Sequence, residues 1–213
     1  MMQIAILLFD GVTALDAIGP YEVLARLPGA ELRFVGREVG TVRTDNGFLG
    51  LSCDRSIDDL ERTEILVVPG GFGTRALLKE TSLLEWLRRI HQTTRYTTSV
   101  CTGSLVLAAA GLLDDLEATS HWAALDELGA LGARPTRQRV VEQGKVITAA
   151  GVSAGIDMAL HLAAKLVGPE MAQAIQLGIE YDPQPPFDAG SVDKAPPAIV
   201  ELVRQALARR NRR

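Results

Sequence analysis

The stretch RYTTSVCTGSLVLAAAGLL, residues 95–113, carries two patterns back to back. Residues 95–100 form a short run of the extended type. Residues 104–113 read as an apolar helix, and Cys101-Thr102-Gly103 is the break between them. A strand that turns sharply into a helix is one half of a βαβ unit. The rest of the chain repeats that theme. Short, β-rich apolar runs at 3–9, 31–36, 64–71 and 145–151 suit parallel strands covered on both faces. Helical patterns fall between and after them at 14–27, 82–92, 153–168 and 169–181. The alternation predicts an α/β fold with a doubly wound, mainly parallel sheet and helices on both faces.

Local signals mark the ends of these elements. Pro20 is placed near the first turn of its helix. Ser82 followed by Glu85 has the spacing of a capping box, and Ser153 and Gly168 start and stop the helix between them. Asn46-Gly47 between two β-like pieces predicts a hairpin, and Gln143-Gly144 marks another. The proline-rich residues 182–197 run over the surface to a last helix, at about residues 196–210. No repeat or linker divides the sequence, so a single domain over residues 1–213 is expected.

Composition narrows the function classes. Hydrophobic residues make up 47% of the chain and charged residues 23%, with a formal net charge of −4. That balance suits a globular protein and gives no field for nucleic acid. The terminal RRNRR reads as a solvated helix end, where cations oppose the helix dipole. Two cysteines, Cys53 and Cys101, cannot build a disulfide framework. No apolar run is long enough to span a membrane, and the N-terminal MMQIAILLFDGV reads as a buried strand rather than a signal peptide. A cytoplasmic location, no membrane and no nucleic-acid partner are the expectations. No Cys/His spacing suits a metal, and no glycine-rich nucleotide motif follows a strand, so no metal and no cofactor are expected.

Open α/β sheets bind ligands at the carboxyl ends of their strands. Cys101 stands there, on a turn of the nucleophile-elbow kind, at a helix N-terminus that favours thiolate. Gly103 and Ser104 keep the bend uncrowded. Cys53, in the hairpin, reads as a small buried hydrophobe. A thiol nucleophile needs a proton-handling partner. Asp16, His121 and Glu22 are the candidates. Asp16 is flanked by Leu15, Ala17 and Ile18, and burial would raise its pKa towards neutrality. It could equally cap its helix. Gly70 and Gly71, at another strand end, can bring backbone N–H groups close to a bound group, and with the N–H of Thr102 could form an oxyanion-type site. His121 and Trp122 fit either a pocket or a helix start packed on the core. Phe72, Trp122, Val152 and Ile156 are candidates for an apolar lining.

Four blocks occur in a fixed order: ILLFDGVTALDAIGPYEVL, ILVVPGGFG, SVCTGSLVLAAAGLLDDLEATSHW and GVSAGIDMALHLAAKLVG. Together they resemble the ThiJ/PfpI superfamily over roughly residues 2–190. The resemblance implies a flavodoxin-like domain with a cysteine at its elbow. YTTSVCTGSLVLAAAGLL, the Asp in LDAIGPYEVL and the segment LGIEYDPQPPFDAGSVDKAPP are similar to the branch that hydrates isonitriles, R–N≡C, to N-substituted formamides. Carried over by position, this implies Cys101 as nucleophile, Asp16 as acid/base, Thr102 as a polar helper and the backbone at Val152 facing the sulfur. It also implies a small-molecule isonitrile substrate and a homodimer.

Departures from other branches sharpen the expectation. The intracellular-protease branch has His after the elbow cysteine, where this chain has Thr102. The stress-protein branch commonly uses a glutamate where this chain has the shorter Asp16. Regulators of the AraC type carry a similar domain with C-T-G at the elbow, but continue into a DNA-binding region for which no residues follow Arg213. A ligand-binding module and a redox-sensing Cys101 are the competing expectations.

Overall fold

The computed structural model describes residues 1–210, so the last three residues of the RRNRR run lie outside the described residues. The chain opens with β1 (Met2–Leu7), α1 (Ala14–Leu24) and β2 (Ala30–Gly36). A hairpin of β3 (Gly40–Arg43) and β4 (Gly50–Cys53) and a short β5 (Arg55–Ser56) follow. Next come β6 (Ile65–Val68), α2 (Thr74–Leu77), α3 (Thr81–Thr93), β7 (Tyr96–Val100) and α4 (Gly103–Ala109). After these lie β8 (Glu117–Ala118), α5 (Leu125–Ala130), β9 (Arg134–Pro135), β10 (Val140–Gln143) and β11 (Val146–Ala149). The helices α6 (Ala154–Val167), α7 (Pro169–Gly178) and α8 (Pro197–Arg210) complete the sequence of elements.

Seven strands form the central sheet in the order β10-β11-β7-β6-β1-β2-β5. All neighbours are parallel except β10, which pairs antiparallel with β11. The polarity of that edge follows from its two-residue turn at Gly144-Lys145, with Gly144 at φ 63. Such a connection can only reverse the chain. The Asn46-Gly47 signal also marks a hairpin, with the Asn46 carboxamide accepting from Thr44 Oγ1 and from the N–H of Phe48.

Period-two alternation divides β1 and β6 between two cores. Ala5, Leu7, Leu66 and Val68 face one cluster with α3, α4 and α5. Ile4, Ile6, Ile65 and Val67 face the other, with α1, α6 and α7. Every residue of β6 is buried, as a central parallel strand requires. The fold is the doubly wound α/β arrangement expected from the alternation of runs.

Several expected ends fall elsewhere. Pro20 is the seventh residue of α1, not in its first turn; it has no N–H to give the carbonyl of Asp16, four residues back. The helix expected at Ser82 begins at Thr81 after Glu80, with no side-chain cap, so the capping box does not form. Ser153 precedes α6 without capping it, and its hydroxyl accepts from Arg139 instead. Gly168, at φ 92, ends α6 as its lack of a side chain allows.

The chain separates into two compact units, Met1–Ile179 and Glu180–Arg213. The first contains the sheet and the seven helices packed around it. The second consists of an irregular proline-rich segment and α8, in which no side chain is buried. No helix among the described residues is long and apolar enough to cross a membrane.

Candidate active site

The carboxyl ends of β6, β7 and β11 and the start of α1 converge on Cys101. This residue is 5% exposed and has φ 56, a left-handed conformation that a non-glycine residue adopts only when its surroundings hold it there. The hold is visible. The Cys101 N–H is shared between the carbonyls of Ala149 and Ala150, both at 3.0 Å. Its carbonyl accepts from Ser104 Oγ at 3.1 Å and from Ser120 Oγ at 3.0 Å. Gly103 lets α4 start against β6: a Cβ there would stand 2.0 Å from the carbonyl oxygen of Val68.

Asp16 is fully buried in the first turn of α1. Its Oδ2 accepts the N–H of Gly70 at 2.9 Å. Its Oδ1 accepts no N–H or O–H among the described residues. Burial raises its pKa from an ordinary 3.8 to about 7, with the Gly70 N–H and the Cys101 thiol opposing the rise and Asp45 adding slightly to it. Asp45 is itself held by the Thr13 hydroxyl at 2.9 Å.

The cysteine differs from the expectation. Its place before a helix suggests a lowered pKa, yet burial first, and then the Asp16 carboxylate, push the Cys101 thiol well up. The N–H groups of Val152 and Thr102 donate to the sulfur and work against that rise. Helix α4 has only seven residues, and its partial charge cannot offset removal of the sulfur from water. The pair therefore rests as a thiol beside a carboxyl near its own midpoint, with the protons shared as a coupled system. A sulfur anion formed here by passing the thiol proton to Asp16 would be met by the backbone N–H groups of Val152 and Thr102.

Gly70 and Gly71 also take a different part. Their N–H groups are already committed, Gly70 to Asp16 and Gly71 to Thr102 Oγ1 at 2.9 Å. They hold side chains rather than forming an oxyanion hole. The absent side chain of Gly70 is what lets the site close. A Cβ there would lie 2.5 Å from Thr102 N, 2.7 Å from Thr102 Oγ1 and 2.8 Å from Asp16 Oδ2. Gly71, at φ 140, abuts the 11–13 turn, where a Cβ would meet the Gly11 carbonyl at 2.3 Å.

The remaining candidates are not all brought to this centre. Val152, at φ 30, directs its N–H at the sulfur. His121 packs on Gly151, where a Cβ would stand 2.9 Å from its Cδ2. Its Nδ1 accepts from the Ala123 N–H, and burial and then Arg75 lower its pKa, so it is a neutral ring rather than a cation. Trp122 stands beside it, ring centroids 5.4 Å apart. Ile156 of α6 packs across Gly19 of α1, and Phe72 is half-buried in the β6–α2 turn. Glu22 pairs with Arg26 on the outer face of α1, away from the thiol's proton. Cys53 is buried against Gly36. Among the described residues no cluster of three or more His, Cys, Asp or Glu is placed to hold a metal ion.

Three hydroxyls went unnoticed in the sequence: Thr74, Ser120, and Ser104 in its bonding role. Thr74 is three residues after Gly71, a spacing at which a threonine hydroxyl returns to the backbone. The contacts of Ser120 cross between distant segments, and no local pattern announces them.

This arrangement has relatives. Residues 2–165 match the model of the DJ-1/PfpI family. The chain belongs to that family. Over 207 residues it is 46% identical to an isonitrile hydratase of Pseudomonas putida, covering 97% of this chain and 90% of that one. It is 32% identical to the HTH-type transcriptional regulator CdhR of Pseudomonas aeruginosa over 77% of its own length, but spans only 49% of the regulator. A ThiJ/PfpI family protein from Pseudomonas syringae superposes with a TM-score of 0.94 at 38% identity, covering 99% of this chain and 88% of that one.

Proposed function

We propose that this DJ-1/PfpI family member is an isonitrile hydratase, converting R–N≡C and water to R–NH–CHO. The observation that carries the reading is the Asp16–Cys101 pair: a buried carboxyl with a pKa of about 7 coupled to a thiol whose sulfur receives two backbone N–H groups. Near-complete alignment with the Pseudomonas putida enzyme supports it.

The chemistry balances on one shared proton. With the proton on Asp16, the Cys101 thiolate forms a bond to the isonitrile carbon while Asp16 protonates that carbon. The product is a thioimidate, R–N=CH–S–Cys101, beside an Asp16 carboxylate. Water then adds to the same carbon; Asp16 takes a proton from it and passes it to nitrogen. In the collapse the hydroxyl proton returns to Asp16, the C–S bond breaks and the formamide leaves. Thiolate and protonated acid are restored. Thr102, whose N–H donates to the sulfur, is the polar helper in this reading. Covalent catalysis divides one difficult hydration into two easier steps. A homodimer in a reducing cytoplasm is the setting we assign to it.

A direct assay tests this. Aryl and alkyl isonitriles are supplied and formamide is followed by chromatography, with mass spectrometry of an acid-quenched reaction to locate the adduct. Turnover with the adduct mass on the peptide holding Cys101 is expected. Isonitriles left unconsumed would sink the proposal and favour a ligand-binding module.

A further inference from the structure

We infer that Thr74 is a positioning residue that keeps the Thr102 hydroxyl proton from being taken by the Gly71 carbonyl and so leaves it for a bound substrate; this rests on the isonitrile-hydratase reading above. Thr74 is fully buried at the start of α2. Its hydroxyl is 2.7 Å from the Gly71 carbonyl and 3.2 Å from Thr102 Oγ1. Thr102 Oγ1 in turn accepts the Gly71 N–H at 2.9 Å and lies 3.2 Å from the Gly71 carbonyl.

Counting protons decides who donates where. One hydroxyl has one proton. Thr74 gives its proton to the Gly71 carbonyl, the shorter of its two contacts. The Thr74 N–H also points to that carbonyl, at 3.2 Å. The carbonyl thus has two donors without Thr102. The Thr102 oxygen is fixed by the Gly71 N–H, while among the described residues its own proton has two acceptors, both at 3.2 Å. A bound substrate atom replaces such long contacts readily. Removing the Thr74 hydroxyl reverses this. The Gly71 carbonyl loses its shortest donor, and the Thr102 proton, already 3.2 Å from it, becomes the replacement and is no longer left for a substrate atom.

Local geometry alone would make Thr74 a turn-forming threonine. The short α2, four residues from Thr74 to Leu77, has its own backbone bonds, including Leu78 N–H to the Thr74 carbonyl. Two buried hydroxyls in contact exceed what that turn needs. Arg75 Nη1 stands 3.5 Å from Thr74 Oγ1 and its other nitrogen is taken by Glu127, so the hydroxyl has no closer cation to serve.

The test is a cycle of Thr74→Val, Thr102→Val and the double variant, with Thr74→Ser as the conservative partner and Thr74→Ala should the valine form fail to fold. Each is assayed with 4-nitrophenyl isonitrile, alongside thermal midpoint and the rate of Cys101 alkylation by iodoacetamide. Loss of one neutral hydrogen bond corresponds to roughly a tenfold effect. Thr74→Val should lower kcat by about that factor, with KM changed less than about twofold and alkylation unchanged. Thr74→Ser should recover kcat, and the double variant should be no slower than Thr102→Val alone. A Thr74→Val or Thr74→Ala enzyme with wild-type kcat would overturn the inference while Thr102→Val still reports on the site. Independent, multiplying losses in the double variant would overturn it as well. Wild-type protein that leaves the isonitrile untouched would instead remove the functional reading on which the inference stands.

Discussion

The two ends of the central sheet both bury polar side chains and treat them in opposite ways. At the amino end, Thr63 Oγ1 donates within reach of the carbonyls of Gln3 and Ile65, both at 3.0 Å. Thr97 Oγ1 lies 2.9 Å from His91 Nδ1 and 2.8 Å from Thr94 Oγ1. The Lys145 ammonium closes the group by bonding the carbonyls of His91 and Thr94. At the carboxyl end, two non-glycine residues, Cys101 and Val152, adopt positive φ, and a carboxyl and a thiol share a buried space. Asp16 Oδ1, Ser99 Oγ and Thr119 Oγ1, the buried side-chain atoms without a partner among the described residues, belong to segments near this end. One end spends its polar groups on closing the fold. The other keeps them in conformations and protonation states that folding alone would not select.

The largest test of that contrast compares the two cysteines. Cys101→Ala should reduce formamide formation by at least about a thousandfold, because a covalent route is lost. Cys53→Ala, at a buried site with no role in the chemistry, should leave kcat within about twofold and lower the thermal midpoint only. Equal losses in both would erase the distinction between the regions.

Asp16→Asn comes next, with two effects of opposite sign. Loss of the acid/base should cost about 10²–10⁴ in kcat. Stability should move the other way. The folded chain holds the Asp16 proton up to about pH 7, whereas an unfolded carboxyl releases it near its ordinary 3.8. Between these values the native state binds more protons, so stability falls as pH rises from about 4 to 7 and stays low above it. Asparagine removes that loss. The variant should gain a few kcal/mol over wild type at pH 8 and nothing near pH 3.5, an order-of-magnitude figure that paired denaturant titrations can measure.

Gly70→Ala should slow turnover by about a hundredfold, since a displacement near 1 Å at a reacting group has that size of effect. Its methyl would meet Thr102 and Asp16 together, and a crystal structure of the variant should show one of them displaced. The smallest effect on activity belongs to the amino end. Thr97 precedes Cys101 by four strand residues, roughly 13 Å. Thr97→Val should destabilise by about 1–3 kcal/mol through the groups it leaves unpaired, with kcat unchanged.

The sequence displayed the sheet because β1 and β6 are nearly continuous apolar runs and the β-rich segments of β2, β7 and β11 alternate with helical patterns. It displayed Cys101 because a strand-to-helix break is local. Helix starts were harder: the Ser82–Glu85 spacing was present, but the chain enters α3 one residue earlier and leaves that cap unused. The site's electrostatics were only partly legible. The flanking residues of Asp16 announced burial and a raised pKa, whereas the rise at Cys101 depends on Asp16, 85 positions away in sequence. The commitments of the Gly70 and Gly71 N–H groups likewise depend on Asp16 and Thr102, which no local pattern links to them.

Gly103 pressed on the Val68 carbonyl has a consequence for how such a protein can diversify. The height of the elbow above the sheet is indexed to the last residue of the neighbouring strand, so lengthening or shortening that strand by one residue would carry the sulfur off its seat. An insertion there would also part the sulfur from the Val152 N–H that donates to it. The segment that bears His121 and Trp122 is moored to the same elbow, through Ser120 Oγ on the Cys101 carbonyl and the Thr119 N–H on Thr148 Oγ1, so a shift of the sulfur would be felt there as well.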